Sequence, residues 1–343
     1  MAIQKEGFGT LENGDKVTKY TLSNADFCVS VLDYGATIQS IIFNNKEMVL
    51  GYDSAAGYEK GGSYQGATVG RYANRISGPG FTLNDTYYKL EKNNEGKEHL
   101  HGGFGGFAHR MWKLKEICDD ESFPALTFEI FSPDMQDGYP GNFTAQVTFT
   151  LTDYGTLNLR YSATSDKDTV VNLTNHTYFC LGQEDILDTE MVINAERFTE
   201  VDKDLIPTGE LTAVEGTPFD FKSPHRIGER IGENHLQLGF GGGYDHNFVL
   251  GTERLWRLAA VAKAPNGVGL RCYTDLVGVQ FYTANMLDEK AGRQNKPLTK
   301  NMGFCLETQF FPDTPNNPAF PSCLLKAGHT FNSATTFRFT KEG

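Results

Sequence analysis

The chain reads as an all-β protein, a large antiparallel β-sandwich, and three features of its sequence predict that class. Apolar and polar residues alternate with a period of two along many short runs. Turn formers punctuate those runs, with 37 glycines and 13 prolines among 343 residues. Long amphipathic helices are not interleaved between the runs, which excludes a βαβ architecture.

Taken from the N-terminus, runs at 27–32 and 36–43 flank the turn Asp33-Tyr34-Gly35, and further runs follow at 87–90, 111–117 and 126–131. The clearest alternation sets Phe143, Ala145, Val147, Phe149 and Leu151 against Thr144, Gln146, Thr148, Thr150 and Thr152. Such a strand buries one face and exposes a threonine-rich one. Asp153-Tyr154-Gly155 then turns the chain, and Leu157, Leu159, Tyr161 and Ala163 resume the pattern, so the two runs predict a hairpin. Later strands are predicted at 191–195, 247–250, 257–262, 269–273, 278–284, 303–308 and 334–339, and short helices near 224–231 and 286–291. No Pro/Ser-rich linker divides the chain, which predicts a single β domain over residues 1–343.

The 25 Phe, 15 Tyr and 2 Trp side chains suffice for a sizeable core. A net charge of −12 argues against a broad phosphate-binding surface, so nucleic acid is not an expected partner, although a local basic pocket is allowed. No apolar run reaches the length of a membrane span or a signal peptide, and no membrane partner is expected. Six scattered cysteines form no CxxC pair, which points to reduced thiols and a cytoplasmic protein.

Five segments concentrate polar chemistry. In Gly70-Arg71-Tyr72-Ala73-Asn74-Arg75-Ile76-Ser77-Gly78, Asn74 or Arg75 can bind hydroxyl oxygens of a neutral ligand, unless the arginine is paired with an internal carboxylate. In His99-Leu100-His101-Gly102-Gly103, an extended backbone would turn both histidines to one side, suited to hydrogen bonding, acid/base work or, with further ligands, zinc. Along 171–179, alternation puts Asn172, Thr174 and His176 on one face toward a groove, and His176 can transfer protons. Asp245 follows the glycines 241–243 and can accept from two hydroxyls, with His246 supporting the loop, while Gln280 and Tyr282 share a face opposite Phe281. Glu307 stands in an apolar strand, where a carboxylate needs solvent or a partner, which suits a general base; Asp313, among prolines, reads as an exposed turn carboxylate.

Together, GRYANRISG at 70–78, LHGG at 100–103, DGYPG at 137–141, NHTYF at 175–179, DHNF at 245–248 and LETQFFPDTPN at 306–316 make a chain that resembles the aldose 1-epimerases, also called galactose mutarotases. The resemblance spans nearly the whole sequence. It implies a galactose mutarotase-like supersandwich with sugar in an open groove of one sheet. By motif it implies Glu307 as general base, His176 as general acid and His101 as a further catalytic or sugar-binding residue. Asn74, Arg75, Asp245 and Gln280 are implied to bind sugar hydroxyls; Arg71, just before the matched pair, receives no role.

The implied reaction interconverts the α and β anomers of a free hexose, galactose or glucose, through ring opening and reclosure. It requires no cofactor and no metal. A glycosidase would pair two carboxylates, and a phosphorylated-hexose epimerase would need a cationic pocket that Arg71 and Arg75 alone do not make. The reading from a different class is a noncatalytic carbohydrate-binding or regulatory protein on the same fold. Monomer and homodimer are both compatible with the sequence.

Overall fold

In the computed structural model, residues 2–24, 27–78, 80–152 and 155–341 are described. Among them the largest sheet has nine strands, ordered Lys113–Cys118, Ala125–Ser132, Phe143–Thr152, Thr156–Ser165, Thr330–Lys341, Val268–Thr274, Arg257–Lys263, Glu190–Ile193 and His225–Arg226. Every pairing in it is antiparallel. Strand Phe143–Thr152 alternates buried and half-buried residues along its whole length, as its sequence predicts. Its register sets Phe149 against Leu159 and Leu151 against Leu157, so both hairpin strands turn their apolar sets to one face. The tip, Asp153-Tyr154, lies outside the described residues.

Two five-stranded sheets complete the large antiparallel β-sandwich. One runs from Ile3–Thr10 through Lys16–Asn24, Phe27–Leu32 and Thr37–Phe43 to Lys46–Glu47; the other is ordered Pro207–Ala213, Arg197–Val201, Asp245–Val249, Gly278–Tyr282 and Cys305–Gln309. The first of these meets the large sheet through aromatic side chains, and the second touches it where the Thr308 and Thr335 hydroxyls hydrogen-bond at 2.5 Å. Phe27 and Phe43 stand 5.7 and 5.8 Å from Phe339, and Phe179 stands 4.9 Å from Phe337. Phe43 is half-buried, and each fully buried ring contributes about 1.5–3 kcal/mol of burial free energy, so the aromatic count is a major source of cohesion.

Strands at 3–10, 16–24, 197–201 and 207–213 are absent from the sequence expectations. Ile3–Thr10 shows why, since nearly all of it is exposed and no alternation marks it. The expected helix at 286–291 does not form. Asp288–Glu289 instead pairs with Leu298–Thr299, because a six-residue helix pays a nucleation cost that cross-chain pairing avoids. The expected 224–231 helix shrinks to Ile227–Arg230, preceded by the extended pair His225–Arg226. Short helices appear unforeseen at Ala55–Lys60, where the Ser54 side chain accepts from Gly57 N–H, and at Leu236–Gly241. No helix of the described residues is long and apolar enough to cross a membrane.

Candidate functional site

Three adjacent strands make the floor of the site. Asp245, Tyr282 and Cys305 stand opposite one another in register, as do Asn247, Gln280 and Glu307 two residues along. Strand alternation puts these six on one face and sends Phe248, Phe281 and Leu306 to the core on the other. A polar face this deep is stable only if its groups are paired. Gln280 donates to Asp245 Oδ1 at 2.7 Å, Gln309 donates to both Gln280 Oε1 and Asn247 Oδ1 at 3.3 Å, and Asn247 donates to Thr199 at 2.8 Å.

Above this floor lies a cavity of about 340 Å³, within the usual range for small-molecule sites. Asn74, Arg75, His101, His176, Asp245 and Glu307 all line it, so six of the seven residues implied by the motifs converge from segments spread over the chain. Gln280 does not reach the cavity wall. Its amide holds Oδ1 of Asp245, and Oδ2 of that carboxylate has no protein donor among the described residues.

The loop carrying Asn74 and the loop carrying His101 hold each other. His101 N–H donates to the Asn74 carbonyl at 3.1 Å, and Asn74 N–H donates to His101 Nδ1 at 3.2 Å. Both residues have positive φ, 65° at Asn74 and 53° at His101, so the strand His99–Leu100 ends there. The two histidines therefore do not share a face. His99 turns inward, with Nε2 2.7 Å from the Tyr139 hydroxyl and Nδ1 2.8 Å from the Glu91 carbonyl, while His101 faces the cavity. At Gly102, φ is +88° and a Cβ would overlap the Gly70 carbonyl, which is the local reason for glycine.

Arg71 is structural. It is buried, donates to the carbonyls of Pro140, Gly141 and Ser132 and to the Ser132 hydroxyl, and its guanidinium lies 4.7 Å from the Phe143 ring centroid. Its partners are carbonyls and the hydroxyls of Ser132 and Thr169. Asp313 also departs from expectation. Instead of an exposed turn it is buried, accepting from Ser77 N–H and Asn316 on Oδ1 and from Asn317 on Oδ2, while its own N–H donates to the Arg75 carbonyl. It staples the arginine loop to the chain after Glu307.

His176 alone among Asn172, Thr174 and His176 reaches the cavity. Asn172 turns inward, donating to Ala73 and Phe310 carbonyls and accepting from Phe310 N–H, and Thr174 is buried. Only Thr174–Asn175 is strand, so the simple alternation does not extend across the segment. His176 Nε2 stands 3.6 Å from Glu307 Oε1.

Burial dominates the electrostatics. It pushes Glu307 well above the usual carboxylate range, reinforced by Asp245 and opposed by Arg75. It raises Asp245 as well, against the pull of Arg75 and the Gln280 hydrogen bond. It lowers His176 to about 4 and His101 well below its ordinary value, the latter with help from neighbouring His176 and Arg75. Burial thus works against a full ion pair across the 3.6 Å approach of His176 and Glu307.

His101, His176 and Glu307 also bring three potential metal-ligand atoms within 4.8 Å of one another. The donor set does not suit a metal. Because His101 Nδ1 accepts the Asn74 N–H, the neutral ring carries its proton on Nε2, the atom that would have to offer a lone pair.

Sequence reasoning assigned no role to Tyr64 or Tyr178, which line the same cavity, or to Cys305 behind it. Tyr64 lies over His101, His109 and His176, with ring centroids at 4.7, 5.2 and 6.0 Å. The flanking Gly61-Gly62 and Gly66 were the available signal for Tyr64, and the i, i+2 spacing to Glu307 was the signal for Cys305.

Comparison with known proteins identifies the family and the fold. The aldose 1-epimerase family profile matches residues 18–338. The chain is 39% identical to galactose mutarotase of Bos taurus across 99% of both chains. It is 34% identical to aldose 1-epimerase of Escherichia coli K12 across 93% of this chain and 94% of the other. The crystal structure of galactose 1-epimerase from Lactobacillus acidophilus superposes with a TM-score of 0.88 at 26% identity, covering 99% of both chains.

Proposed function

This chain belongs to the aldose 1-epimerase family and is a mutarotase, and from that premise we propose how its residues act on a free hexose, galactose or glucose. Glu307 takes the proton of the anomeric hydroxyl, C1=O forms, the bond from C1 to the ring oxygen breaks, and that oxygen takes a proton from His176 Nε2. The open aldehyde rotates about the bond from C1 to C2, and reclosure by the reverse proton transfers gives the other anomer.

The observation that carries this reading is the 3.6 Å approach of His176 and Glu307 on one wall of the cavity. Ring opening converts a charged acid/base pair into a neutral one, and the buried site favours the neutral pair. Burial therefore assists the bond-breaking step, while Arg75 counters it by keeping the carboxylate available as an anion. His101, with its proton on Nε2, donates to a sugar oxygen. Asn74, Arg75 and the free oxygen of Asp245 hold hydroxyls, and Gln280 serves the sugar through Asp245. No step calls for a cofactor. The unpaired thiols support a cytoplasmic location.

Polarimetry of freshly dissolved α-galactose and α-glucose tests the reading, with wild type, Glu307→Gln and a no-protein control. Fast equilibration by wild type, lost in the variant, is the expected result. A folded wild type that binds sugar but matches the control would mark a binding protein instead.

A further inference from the structure

His101 stands where the chain reverses. Leu100-His101-Gly102-Gly103 is a tight turn, closed by Gly103 N–H donating to the Leu100 carbonyl at 3.1 Å. Its central residues both have positive φ, 53° at His101 and 88° at Gly102, as a type I′ turn requires. Glycine adopts that backbone freely, whereas a histidine there is strained and stays only where its surroundings enforce it. The residue that opens the turn is gripped from the side. Asn93 Oδ1 accepts from Leu100 N–H and Asn93 Nδ2 donates to the Leu100 carbonyl, both at 2.8 Å. We propose that Asn93 is a positioning residue, whose amide pins Leu100 from outside the cavity and so fixes the turn that aims His101 Nε2–H at the sugar. The inference rests on the reading of His101 as a hydrogen-bond donor to the substrate.

A side-chain amide carries one acceptor and one donor group, which match the N–H and carbonyl that a strand residue shows to its neighbour. Asn93 thus takes the place of a neighbouring strand on one edge of Leu100. On the other edge Leu100 stands opposite Arg75, and His101 N–H donates to the Asn74 carbonyl. The segment that ends in His101 is therefore held between Asn93 and the loop that carries two of the hydroxyl-binding residues. Asn93 is half-buried and, unlike Asn94 beside it, does not line the cavity, so it acts on the sugar only through what it holds. Loss of the amide releases both backbone groups of Leu100 and lets the turn relax toward extended backbone, the unstrained state for a histidine, which carries Nε2 away from the cavity.

A double-mutant cycle tests this by polarimetry with galactose. Asn93→Ala should lower kcat about tenfold in the otherwise wild-type enzyme, and less than about twofold in the His101→Phe background, where the residue it positions is already gone. Asn93→Asp keeps an acceptor for Leu100 N–H but sets an oxygen against the Leu100 carbonyl, so it should lose activity as Asn93→Ala does. Hydrogen exchange of wild type supplies a readout independent of how the variants fold, and the Leu100 amide should be protected. A kcat of either Asn93 variant within twofold of wild type, the same loss in both backgrounds, or a Leu100 amide exchanging at the free-chain rate would overturn the proposal. His101→Phe by itself separates the two levels. If it keeps full activity the reading of His101 falls, whereas its loss beside an unaffected Asn93→Ala overturns only the role of Asn93.

Discussion

Asn74 and His101 hold each other through a reciprocal pair of hydrogen bonds, backbone N–H to carbonyl at 3.1 Å and backbone N–H to Nδ1 at 3.2 Å. This leaves His101 Nε2 as a donor into the cavity. His101→Phe removes the donor while keeping a ring of similar shape, and it should lower kcat by about a hundredfold. Dialysis of wild type against a chelator should leave kcat/KM unchanged, and a loss of activity reversed by zinc would contradict the tautomer.

The His176–Glu307 pair titrates as a unit and is active with one proton between its members. Adding a second proton requires protonating His176, whose value is lowered to about 4, so activity should fall on the acid side near that pH. The alkaline limb comes when the pair loses its proton, and the raised Glu307 moves that limb well above the usual carboxylate range. A pH profile of kcat should therefore be a bell, and Glu307→Asp should shift its alkaline limb. A profile flat from pH 3 to 10 would remove the pair from the mechanism.

Arg71 should matter for stability and not for substrate affinity. Arg71→Met leaves buried carbonyls of Pro140 and Ser132 without their donor, a loss of about 3 kcal/mol in urea unfolding. Because Arg71 does not line the cavity, KM of the folded variant should match wild type.

Gln280 fixes one oxygen of Asp245, so Gln280→Ala should free that carboxylate to rotate and rise further in pKa. About a tenfold increase in KM for galactose is expected, with a smaller change in kcat. An unchanged KM would show that Asp245 is held by its strand alone.

Stability should also carry the mark of buried neutral histidines. His99 and His176 are lowered to about 4 and His246 to about 3, so between pH 6.5 and about 4 the unfolded chain binds protons that the folded chain refuses. Stability then falls with pH, at about 1.4 kcal/mol per unit for each such group. Glu307 works in the opposite sense, since its raised value makes the folded state bind a proton that the unfolded state lacks above its ordinary range. The urea midpoint of Glu307→Gln should accordingly drop more steeply than that of wild type over this interval.

Much of this fold is legible in the sequence because its strands bury one face. Phe143 through Leu151 announce their strand by composition alone, and the same alternation sends Phe281 to the core and Gln280 to the polar side. Ile3–Thr10 escapes notice because it is exposed on both sides and carries no pattern. Alternation misleads where the backbone leaves the extended region. At His101 the positive φ turns the chain, and at 172–176 only two residues remain in strand, so His99 and Asn172 end in the interior.

The site divides along the same line. The residue types that perform proton transfer and hydroxyl binding, and the motifs holding Asn74, Arg75, His101, His176, Asp245 and Glu307, stand in the sequence by themselves, as does the β class of the fold. Tertiary structure alone decided that Gln280 stands behind Asp245, that Asp313 is a buried staple, that Arg71 grips carbonyls, and that Cys305 meets the far side of His176. Local pattern reports which face of a strand a residue occupies. What lies opposite that face depends on segments from 35 to 236 positions away, because a buried polar group takes whatever partner the packing brings within hydrogen-bond reach.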